Sequence, residues 1–230
     1  MGDFVGRLFL ITGANGGLGR AVTRAFLGEG AAVAGVYRSG RPASEDERFR
    51  EYRADVADPA EAAAVVERAA KDFGRLDGLI HLVGGFEGGA PVEATTDETW
   101  RRMLDVNLNG AFHTMRAALK VMRAAGRGRI VAVGSRTGIE PAAGLAAYGV
   151  SKAALNALVR TIALEVRDSG ITANLVLPSV IDTPANRAAM PAADYSRWVN
   201  PDSIARLIVF LASDAAADVN GAAIPIYGRA

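Results

Sequence analysis

The chain is predicted to fold as one α/β domain: a single doubly wound Rossmann-type parallel sheet with helices on both faces. Short, continuously apolar runs alternate with alanine-rich helical stretches along all 230 residues. No linker, internal repeat or low-complexity tract interrupts this alternation. Strands that are apolar throughout are typical of parallel sheets covered on both faces, and strand–helix alternation indicates βαβ units with right-handed crossovers. Residues 1–230 are therefore expected to form one domain.

Six apolar runs are predicted to form the main strands, and a shorter third strand is expected just before Asp55. The six runs are Leu8–Ile11, Ala31–Val36, Leu79–Val83, Ile130–Val133, Ile171–Leu177 and Ala222–Ile226. Each run is bounded by glycine, proline or polar residues. Runs of this length and composition are typical of buried strands.

Helix-start signals lie between the runs. The segment 58–61 reads Asp-Pro-Ala-Glu, which supplies an N-cap, a proline at the first helical position and a capping-box acid. Thr95 with Glu98, and Asn200 before Pro201, are predicted to open two more helices. The stretch from Pro184 to Val199 differs, because it is polar, contains two prolines and is too long for a routine connection. Long ordered loops in compact domains are usually functional.

Composition and charge exclude several function classes. The formal net charge is +1 and the arginines are scattered, so no basic face is predicted for nucleic acid or for a membrane surface. The chain has no cysteine, which excludes disulfides, thiolate metal sites and thiol nucleophiles, and no metal site is predicted. No signal-peptide pattern or membrane-length apolar segment is found, so a cytoplasmic location is expected.

A glycine-rich loop follows the first strand directly and opens a helix. It runs from Thr12 to Gly19 and reads Thr-Gly-Ala-Asn-Gly-Gly-Leu-Gly. Glycines in such a loop allow a tight turn, close backbone approach to a pyrophosphate and close packing of helix on strand. The helix N-terminus then offers free N–H groups and the positive end of its dipole to phosphate. This order of strand, loop and helix predicts a dinucleotide site.

The residues after the second strand favour NADP(H) over NAD(H). A dinucleotide fold normally places an acid there, which accepts a hydrogen bond from the ribose 2′-hydroxyl. Here the chain reads Tyr37-Arg38-Ser39, and a guanidinium suits a 2′-phosphate. The alternative, a solvated arginine in a loop that also contains Arg41, leaves NAD(H) open. Asp55 and Val56 are expected to flank the adenine, with Asp55 accepting from its amino group.

A tyrosine and a lysine four residues apart are the candidate chemical groups. Tyr148 and Lys152 share one helical face, and a nearby ammonium is expected to lower the pKa of the phenol. At ~4 Å in a partly buried site, such a cation favours phenolate by up to ~4 kcal/mol. Ser135 ends the preceding strand, where open α/β sheets bind their ligands. The three side chains are therefore predicted to face one pocket.

The order and spacing of these pieces resemble the short-chain dehydrogenase/reductase family over essentially the whole chain. The matching pieces are Thr12–Gly19, Asp105–Asn107, Gly128–Ser135, Tyr148–Lys152 and Pro178–Thr183. The resemblance implies that Tyr148 is the general acid/base and that Ser135 orients the substrate oxygen. Lys152 would lower the pKa of the tyrosine and bind the nicotinamide ribose. Asn107 would hold a water that connects Lys152 to solvent.

The resemblance also extends the expected cofactor site to the stretch that binds the nicotinamide carboxamide. The predicted cofactor-binding residues are Thr12, Gly13, Asn15, Gly17, Leu18, Gly19, Arg38, Ser39, Asp55, Val56, Val83, Gly84, Gly85, Tyr148, Lys152, Pro178, Val180 and Thr183. Two departures stand out. His81-Leu82-Val83-Gly84 replaces the usual Asn-Asn-Ala-Gly, and His81 is expected to be structural. Pro178-Ser179 replaces the usual Pro-Gly.

Two loops bear a narrower resemblance to dihydropteridine reductases. They are Val83–Gly89 and the stretch from Asp182 through Trp198, which corresponds to a substrate flap over 184–199. Ser135 and Arg38 do not follow those enzymes, which lack the serine and carry an acid in the cofactor pocket. The loops thus suggest a flat cyclic substrate without establishing a pterin. The predicted substrate-contacting residues are Phe86, Arg187, Met190, Tyr195 and Trp198.

Three functions follow from these features. The first is an NAD(P)(H)-dependent oxidoreductase that transfers a hydride between nicotinamide and a carbonyl or secondary alcohol. The second is a quinonoid dihydropteridine reductase, which could use Tyr148 and Lys152 without Ser135. The third is a non-catalytic dinucleotide sensor, which the retention of the whole catalytic set argues against. A homotetramer or homodimer is expected, with contacts near Thr99–Ala125, near Leu145–Val166 and along the last strand.

Overall fold

Seven parallel strands form one sheet in a computed structural model of the chain, which describes residues 2–229. The strands are β1 (Leu8–Thr12), β2 (Ala32–Tyr37), β3 (Phe49–Arg53), β4 (Gly78–His81), β5 (Gly128–Val133), β6 (Ile171–Pro178) and β7 (Ala223–Ile226). Their order is β3-β2-β1-β4-β5-β6-β7, and every neighbouring pair is parallel. The order reverses between β1 and β4, which is the point where open α/β sheets bind ligands. The predicted fold is confirmed.

Seven α-helices connect the strands. They are α1 (Gly17–Gly28), α2 (Pro59–Phe73), α3 (Asp97–Leu104), α4 (Gly110–Ala125), α5 (Ala146–Val166), α6 (Pro184–Ala189) and α7 (Pro201–Ala212). Asp58 caps α2 by accepting from two backbone N–H groups, and Asn200 caps α7 in the same way from Asp202 N. Both helix starts were predicted. No helix within residues 2–229 is long and apolar enough to cross a membrane.

The start of α3 differs from the sequence prediction by one residue. Thr96, and not Thr95, is the N-cap, because its Oγ1 accepts a hydrogen bond from Thr99 N at 3.1 Å. Thr95 Oγ1 instead donates to the carbonyl of Pro91 at 3.0 Å and follows a 3₁₀ turn at Val92–Ala94. Either of two adjacent threonines could cap the helix. Thr95 is bonded to the turn that begins at Pro91, so Thr96 is the cap.

The sheet separates two apolar cores. On one face, strand side chains pack against α2, α4 and α5, with Val66, Met115 and Leu155 fully buried. On the other face they pack against α1 and α7, with Phe26 and Ile208 fully buried. Burial of both faces is the reason that the strands are apolar throughout. The loops that follow the carboxyl ends of the strands form the candidate site.

The stretch from Pro184 to Val199 contains more regular structure than its sequence suggests. Thr183 Oγ1 accepts from Asn186 N at 3.2 Å and caps the short helix α6, with Pro184 at its first position. A 3₁₀ turn follows at Tyr195–Arg197. The two ends of the stretch meet at a bridge between Ile181 and Val199. It is therefore a closed excursion from the body of the domain.

Candidate active site

The glycine-rich loop has the tight geometry that phosphate binding needs. Gly13 has a φ of +69°, which favours glycine, and its N–H donates to Val36 O at 2.7 Å. A Cβ on Gly19 would lie 2.0 Å from the carbonyl oxygen of Gly13. Gly16 precedes α1 and provides no side-chain cap, so the first backbone N–H groups of the helix have no partner within it. This arrangement suits a pyrophosphate.

A cleft of about 590 Å³ continues from this loop across the carboxyl ends of β1 and β2. It is lined by eight of the residues predicted to bind cofactor: Gly13, Asn15, Arg38, Ser39, Asp55, Val56, Val83 and Gly84. It also contains residues that the sequence analysis missed, among them Gly16, Glu98 and Arg102. Glu98 and Arg102 lie one turn apart on α3. In the sequence, Glu98 is only part of a helix-start signal, and no cofactor-binding motif contains either residue.

Arg38 and Asp55 form an ion pair inside this cleft. Arg38 Nη1 lies 3.4 Å from Asp55 Oδ2, and both side chains are exposed. The other oxygen of Asp55 accepts from Ala57 N at 3.0 Å. Asn15 Nδ2 donates to Ser39 O at 2.7 Å and so connects the glycine-rich loop to the loop after β2. The residues predicted to bind the adenosine end therefore lie together in one cleft, with the arginine beside an acid.

Ser135 and Tyr148 meet at the carboxyl end of β5. Ser135 follows the strand, and its Oγ accepts from Thr137 N at 3.2 Å. Burial raises the pKa of Tyr148, and a hydrogen bond with Ser135 opposes part of this rise. The expected lowering of this pKa by Lys152 is not found. Desolvation of the phenol outweighs its contact with Ser135.

Lys152 is an almost fully buried cation, with 5% of the residue exposed. Its Nζ donates to Val133 O at 3.2 Å. Burial lowers the pKa of Lys152 to about 8. A Cβ on Gly84 would lie 3.0 Å from this nitrogen and 2.9 Å from Asn107 Oδ1, so glycine is needed for these groups to gather. An ammonium has three donors, and within residues 2–229 one of those of Lys152 is used.

Asn107 lies on a π-helical turn, Asp105–Asn109, between α3 and α4. Turns of this kind inside helices often mark functional sites. The buried amide of Asn107 accepts from Gly85 N and donates to Gly85 O, each at 3.0 Å. It also donates to Ser151 Oγ at 3.1 Å. The side chain thus joins the turn after β4 to α5, one residue before Lys152.

His81 is fully buried at the end of β4, which stops two residues short of the predicted Val83. Its Nδ1 lies 3.1 Å from both Thr12 Oγ1 and Thr114 Oγ1. Thr12 Oγ1 in turn accepts from Leu82 N at 3.1 Å and begins the turn away from the strand. Burial, with a smaller effect of the Lys152 charge, lowers the pKa of His81 to about 3. A neutral imidazole packed between strand and helix is the structural residue expected.

The substrate side of Tyr148 is open to solvent and carries an aromatic ring. Phe86 is 68% exposed, and its ring centroid lies 5.0 Å from that of Tyr148 in an edge-on arrangement. Gly89 N donates to Gly144 O at 2.8 Å, which ties the loop after β4 to the loop before α5. A cleft of about 240 Å³ lies beside this tie and is lined in part by Glu87 and Thr99. Phe86 is thus an exposed aromatic ring directly beside Tyr148.

The remaining predicted substrate residues contact one another rather than the catalytic groups. Arg187 forms two hydrogen bonds with Asp182, at 2.6 and 2.8 Å, and its guanidinium lies over Tyr195. Tyr195 and Trp198 have ring centroids 4.8 Å apart, and Met190 is exposed. Within residues 2–229, no hydrogen bond, ion pair or ring contact joins these four side chains to Ser135 or Tyr148. The cluster forms the outer surface of the excursion.

The residues near the nicotinamide end fit a dinucleotide. Thr183 lies over the glycine-rich loop, because a Cβ on Gly17 would be 2.8 Å from its side chain. Val180 O accepts from Val199 N at 2.9 Å, and Pro178 ends β6. The unusual Ser179 donates from Oγ to Tyr227 O at 2.7 Å. Together with the glycine cradle, the long cleft and the buried ammonium of Lys152, these features fit a nicotinamide dinucleotide.

Comparisons with known proteins agree with this geometry. The family model described as enoyl-(acyl carrier protein) reductase matches residues 13–228. The chain is 37% identical to cis-4-hydroxycyclohexanecarboxylate dehydrogenase of Sinomonas cyclohexanicum, over 99% of this chain and 98% of that protein. It is 32% identical to the short-chain dehydrogenase/reductase cdmF of Talaromyces verruculosus, over 98% and 97%.

Solved structures extend the likeness to ligand-bound proteins. The structure titled ElxO with NADP bound has a TM-score of 0.91 and 26% identity, over 96% of this chain and 97% of that one. NAD⁺-bound xylitol dehydrogenase has a TM-score of 0.90 and 28% identity, over 98% and 99%. Both types of cofactor thus occur among the similar structures. The chain belongs to the short-chain dehydrogenase/reductase family and is an NAD(P)(H)-dependent oxidoreductase acting on carbonyl or secondary alcohol groups.

Proposed function

We propose that this oxidoreductase prefers NADP(H) and interconverts a cyclic secondary alcohol and its ketone, with Tyr148 as the proton carrier. The observation that carries the proposal is the grouping of Ser135, Tyr148, Lys152 and Asn107 at the carboxyl ends of β4 and β5. Ser135 and Tyr148 interact, and the contact opposes part of the burial-induced rise in the Tyr148 pKa. Lys152 and Asn107 both approach Gly84. Open α/β sheets bind their ligands at these strand ends.

Ser135, Tyr148 and Lys152 have different roles in the proposed reaction. Ser135 holds the substrate oxygen, and Tyr148 gives that oxygen its proton in the reducing direction or takes it in the oxidising direction. The bound dinucleotide supplies or accepts the hydride at the carbon. Lys152 binds the nicotinamide ribose with its unused donors and stabilises the phenolate when Tyr148 has given up its proton.

Asn107 acts through its neighbours in this mechanism. Its side-chain amide is engaged with Gly85 and Ser151. It therefore holds the turn after β4 against α5 and keeps Gly84 close to Lys152.

The preference for NADP(H) rests on Arg38. A guanidinium can form two hydrogen bonds with a phosphate, which is the group that distinguishes NADP(H) from NAD(H). Asp55 lies 3.4 Å from Arg38 in the free chain. We propose that the 2′-phosphate displaces this carboxylate and that Asp55 then accepts from the adenine amino group.

Arg38→Ala should erode the preference for NADPH. One charge-assisted hydrogen bond contributes about 1.5–3 kcal/mol, so the ratio of kcat/KM for NADPH to that for NADH should fall by roughly 10- to 100-fold. Asp55→Asn should change this ratio in the opposite direction, because it removes the competing charge. Arg50→Ala is the matched control, since Arg50 is also exposed, lies on β3 and pairs with Asp72 outside the cleft. An unchanged ratio in the Arg38 variant would remove this residue from the site.

A cyclic substrate is supported by Phe86 and by one relative. The ring of Phe86 projects beside Tyr148 and offers a flat apolar surface. The relative named for a hydroxycyclohexanecarboxylate is similar over nearly the whole chain. Oxidation of NADPH and NADH should be measured with cyclic ketones, with and without a carboxylate, and with open-chain ketones and quinonoid dihydropterin. Turnover of open-chain ketones alone would contradict the proposal, and turnover of the dihydropterin alone would favour the reductase that the loops resemble.

The excursion 184–199 is proposed to close over bound substrate as a flap. Its two ends are joined at Ile181 and Val199, and its aromatic cluster includes Trp198. Trp198→Ala should raise KM for substrate several-fold while lowering the melting temperature little, as expected for a residue of a closing lid. Trp100→Ala on α3 is the control, because Trp100 is half-exposed outside the flap. If the Trp198 variant instead has a lower melting temperature and an unchanged KM, the segment 184–199 is a structural connection and not a flap.

We further propose that the chain forms a homotetramer, or failing that a homodimer. Large apolar side chains are exposed on three helices: Phe112 on α4, Leu164 on α5 and Phe210 on α7. Exposed apolar surface on helices favours self-association. Light scattering at micromolar concentration should give a multiple of the chain mass, and a monomeric mass would contradict this proposal.

A further inference from the structure

Four arginines surround a second cleft at the end of the sheet opposite the active site. Arg7 precedes β1, Arg75 precedes β4, and Arg127 and Arg129 lie at the start of β5. They line a cleft of about 360 Å³ together with Val5, Gly128 and two aspartates. A strand of five residues spans roughly 16 Å, so this cleft is about one strand length from the glycine-rich loop.

Each of the two aspartates lies close to two of the arginines. Asp77 accepts from Arg75 Nε and Nη2, both at 2.6 Å, and lies 3.5 Å from Arg127 Nε. Asp214 accepts from Arg7 Nη1 at 3.0 Å and from Arg129 Nη2 at 3.5 Å. Four cations and two anions therefore line the cleft, an excess of two positive charges. Asp3 adds a weaker negative field at Arg7 but does not line the cleft.

Several guanidinium donors are left over after these pairs are made. The side chain of Arg127 makes no hydrogen bond to any residue in the range 2–229, although its Nε lies near Asp77. The side chain of Arg129 is only 13% exposed, and it donates to the carbonyls of Gly128, Gly170 and Ser213 besides Asp214. Burial lowers the pKa of Arg129 despite the charge of Asp214. Arg129 therefore adds positive charge to the cleft but few donors, and the free donors belong mainly to Arg127.

The carboxylates also limit what can bind. Asp77 has a structural duty besides its ion pairs, because its Oδ2 accepts from Leu8 N at 2.8 Å. A ligand with a single negative charge would gain little against two fixed carboxylates. A ligand with two or more charges and several acceptor oxygens could use the free guanidinium fork of Arg127, which matches phosphate geometry.

We propose that this cleft is an anion site for a small molecule bearing a phosphate or diphosphate group, separate from the cofactor site. Arg127 is the principal contact, Arg75 supplies further donors, Arg129 adds positive charge, and Asp77 and Asp214 hold the arginines in place. The alternative is that these residues serve only as an ion-pair network that connects β1, β4 and β5. The anion site predicts that a phosphate ligand binds, and the ion-pair network alone predicts that none does.

Calorimetric titration with inorganic pyrophosphate tests this proposal on the full chain. The titration is made with NADPH saturating, so that the glycine-rich loop is occupied, and at constant ionic strength. One pyrophosphate per chain should bind, and Arg127→Gln should weaken its binding about ten-fold or more. Arg24→Gln is the matched control, since Arg24 is similarly exposed and pairs with Asp202 away from the cleft. Its affinity for pyrophosphate should equal that of the wild type.

The possible results separate this proposal from the proposed function. NADPH affinity and turnover of the Arg127 variant should match the wild type, since the residue is remote from the active site. A melting curve of each variant checks that it folds, and Arg127→Lys, which keeps the charge but loses the fork, should bind with intermediate affinity. Absence of binding, binding that saturating NADPH removes, or equal affinity in the Arg127 variant would overturn the anion site and leave an ion-pair network.

Discussion

Replacement of Tyr148 by Phe should abolish turnover while leaving cofactor affinity near the wild-type value. The substitution removes only the phenol oxygen, which carries the proton between substrate and solvent. General acid–base catalysis of this kind contributes roughly 10²- to 10⁴-fold, so kcat should fall by at least that order. In the proposed mechanism, cofactor binding depends instead on the glycine-rich loop, on the cleft beside Arg38 and on Lys152.

Steady-state rates and cofactor titration by fluorescence measure the two effects separately. Tyr52→Phe is the matched control, because the Tyr52 hydroxyl donates to Asp72 at 2.8 Å, remote from the active site. Its turnover should match that of the wild type. A Tyr148 variant that retains a substantial fraction of kcat would show that the proton reaches the substrate by another path, and Ser135 would then be the next candidate.

Replacement of Lys152 by Met should also abolish turnover, but it should stabilise the ligand-free protein. Burial lowers the pKa of Lys152 from 10.5 to about 8, so at neutral pH the fold contains a charge that its surroundings disfavour. That shift corresponds to roughly 3 kcal/mol of the free energy of unfolding, to be regained when a neutral side chain of similar length replaces the lysine. A gain of stability with loss of activity is typical of residues held for function.

The pH dependence follows from the same shift. Between about pH 8 and 10 the unfolded chain keeps a proton on Lys152 that the folded chain has released, so the free energy of unfolding of the wild type should rise with pH. Below about pH 8 both states are protonated and the penalty is fully present. The Met variant should lack this rise. Urea unfolding at pH 7 and at pH 9.5 measures it, and a variant less stable than wild type at pH 7 would mean that the bond to Val133 O outweighs desolvation.

The sheet and its ligand-binding edge could be predicted because they depend on periodic features of the sequence. Apolar runs give the strands, right-handed crossovers give their parallel arrangement, and the loops after β1, β4 and β5 must then lie together. The loops that contain Thr12, Gly84 and Ser135 lie at the same edge of the sheet for this reason. Pro184 after Thr183 also carries a helix-start signal, and α6 could have been predicted from it.

Other features depend on how deeply a side chain is buried and on contacts between elements that are distant in the chain. Neither can be inferred from a local sequence pattern. The pKa of Tyr148 rises because the phenol is buried, whereas the spacing to Lys152 suggested the reverse. The pairing of Arg38 with Asp55 joins the ends of two strands. The arginine cluster around Asp77 and Asp214 collects residues from four separate parts of the chain, and no local pattern marks them as neighbours.

Isotope transfer from cofactor to substrate tests the central account most directly. The wild-type enzyme is given a cyclic ketone that it turns over and NADPH deuterated at the hydride-donating carbon, and the alcohol product is analysed by mass spectrometry. One deuterium per molecule should appear at the carbinol carbon, and the Tyr148→Phe enzyme should produce no labelled alcohol while still binding the cofactor. An unlabelled alcohol from the wild type, or equal labelling by the Phe variant, would contradict hydride transfer assisted by Tyr148.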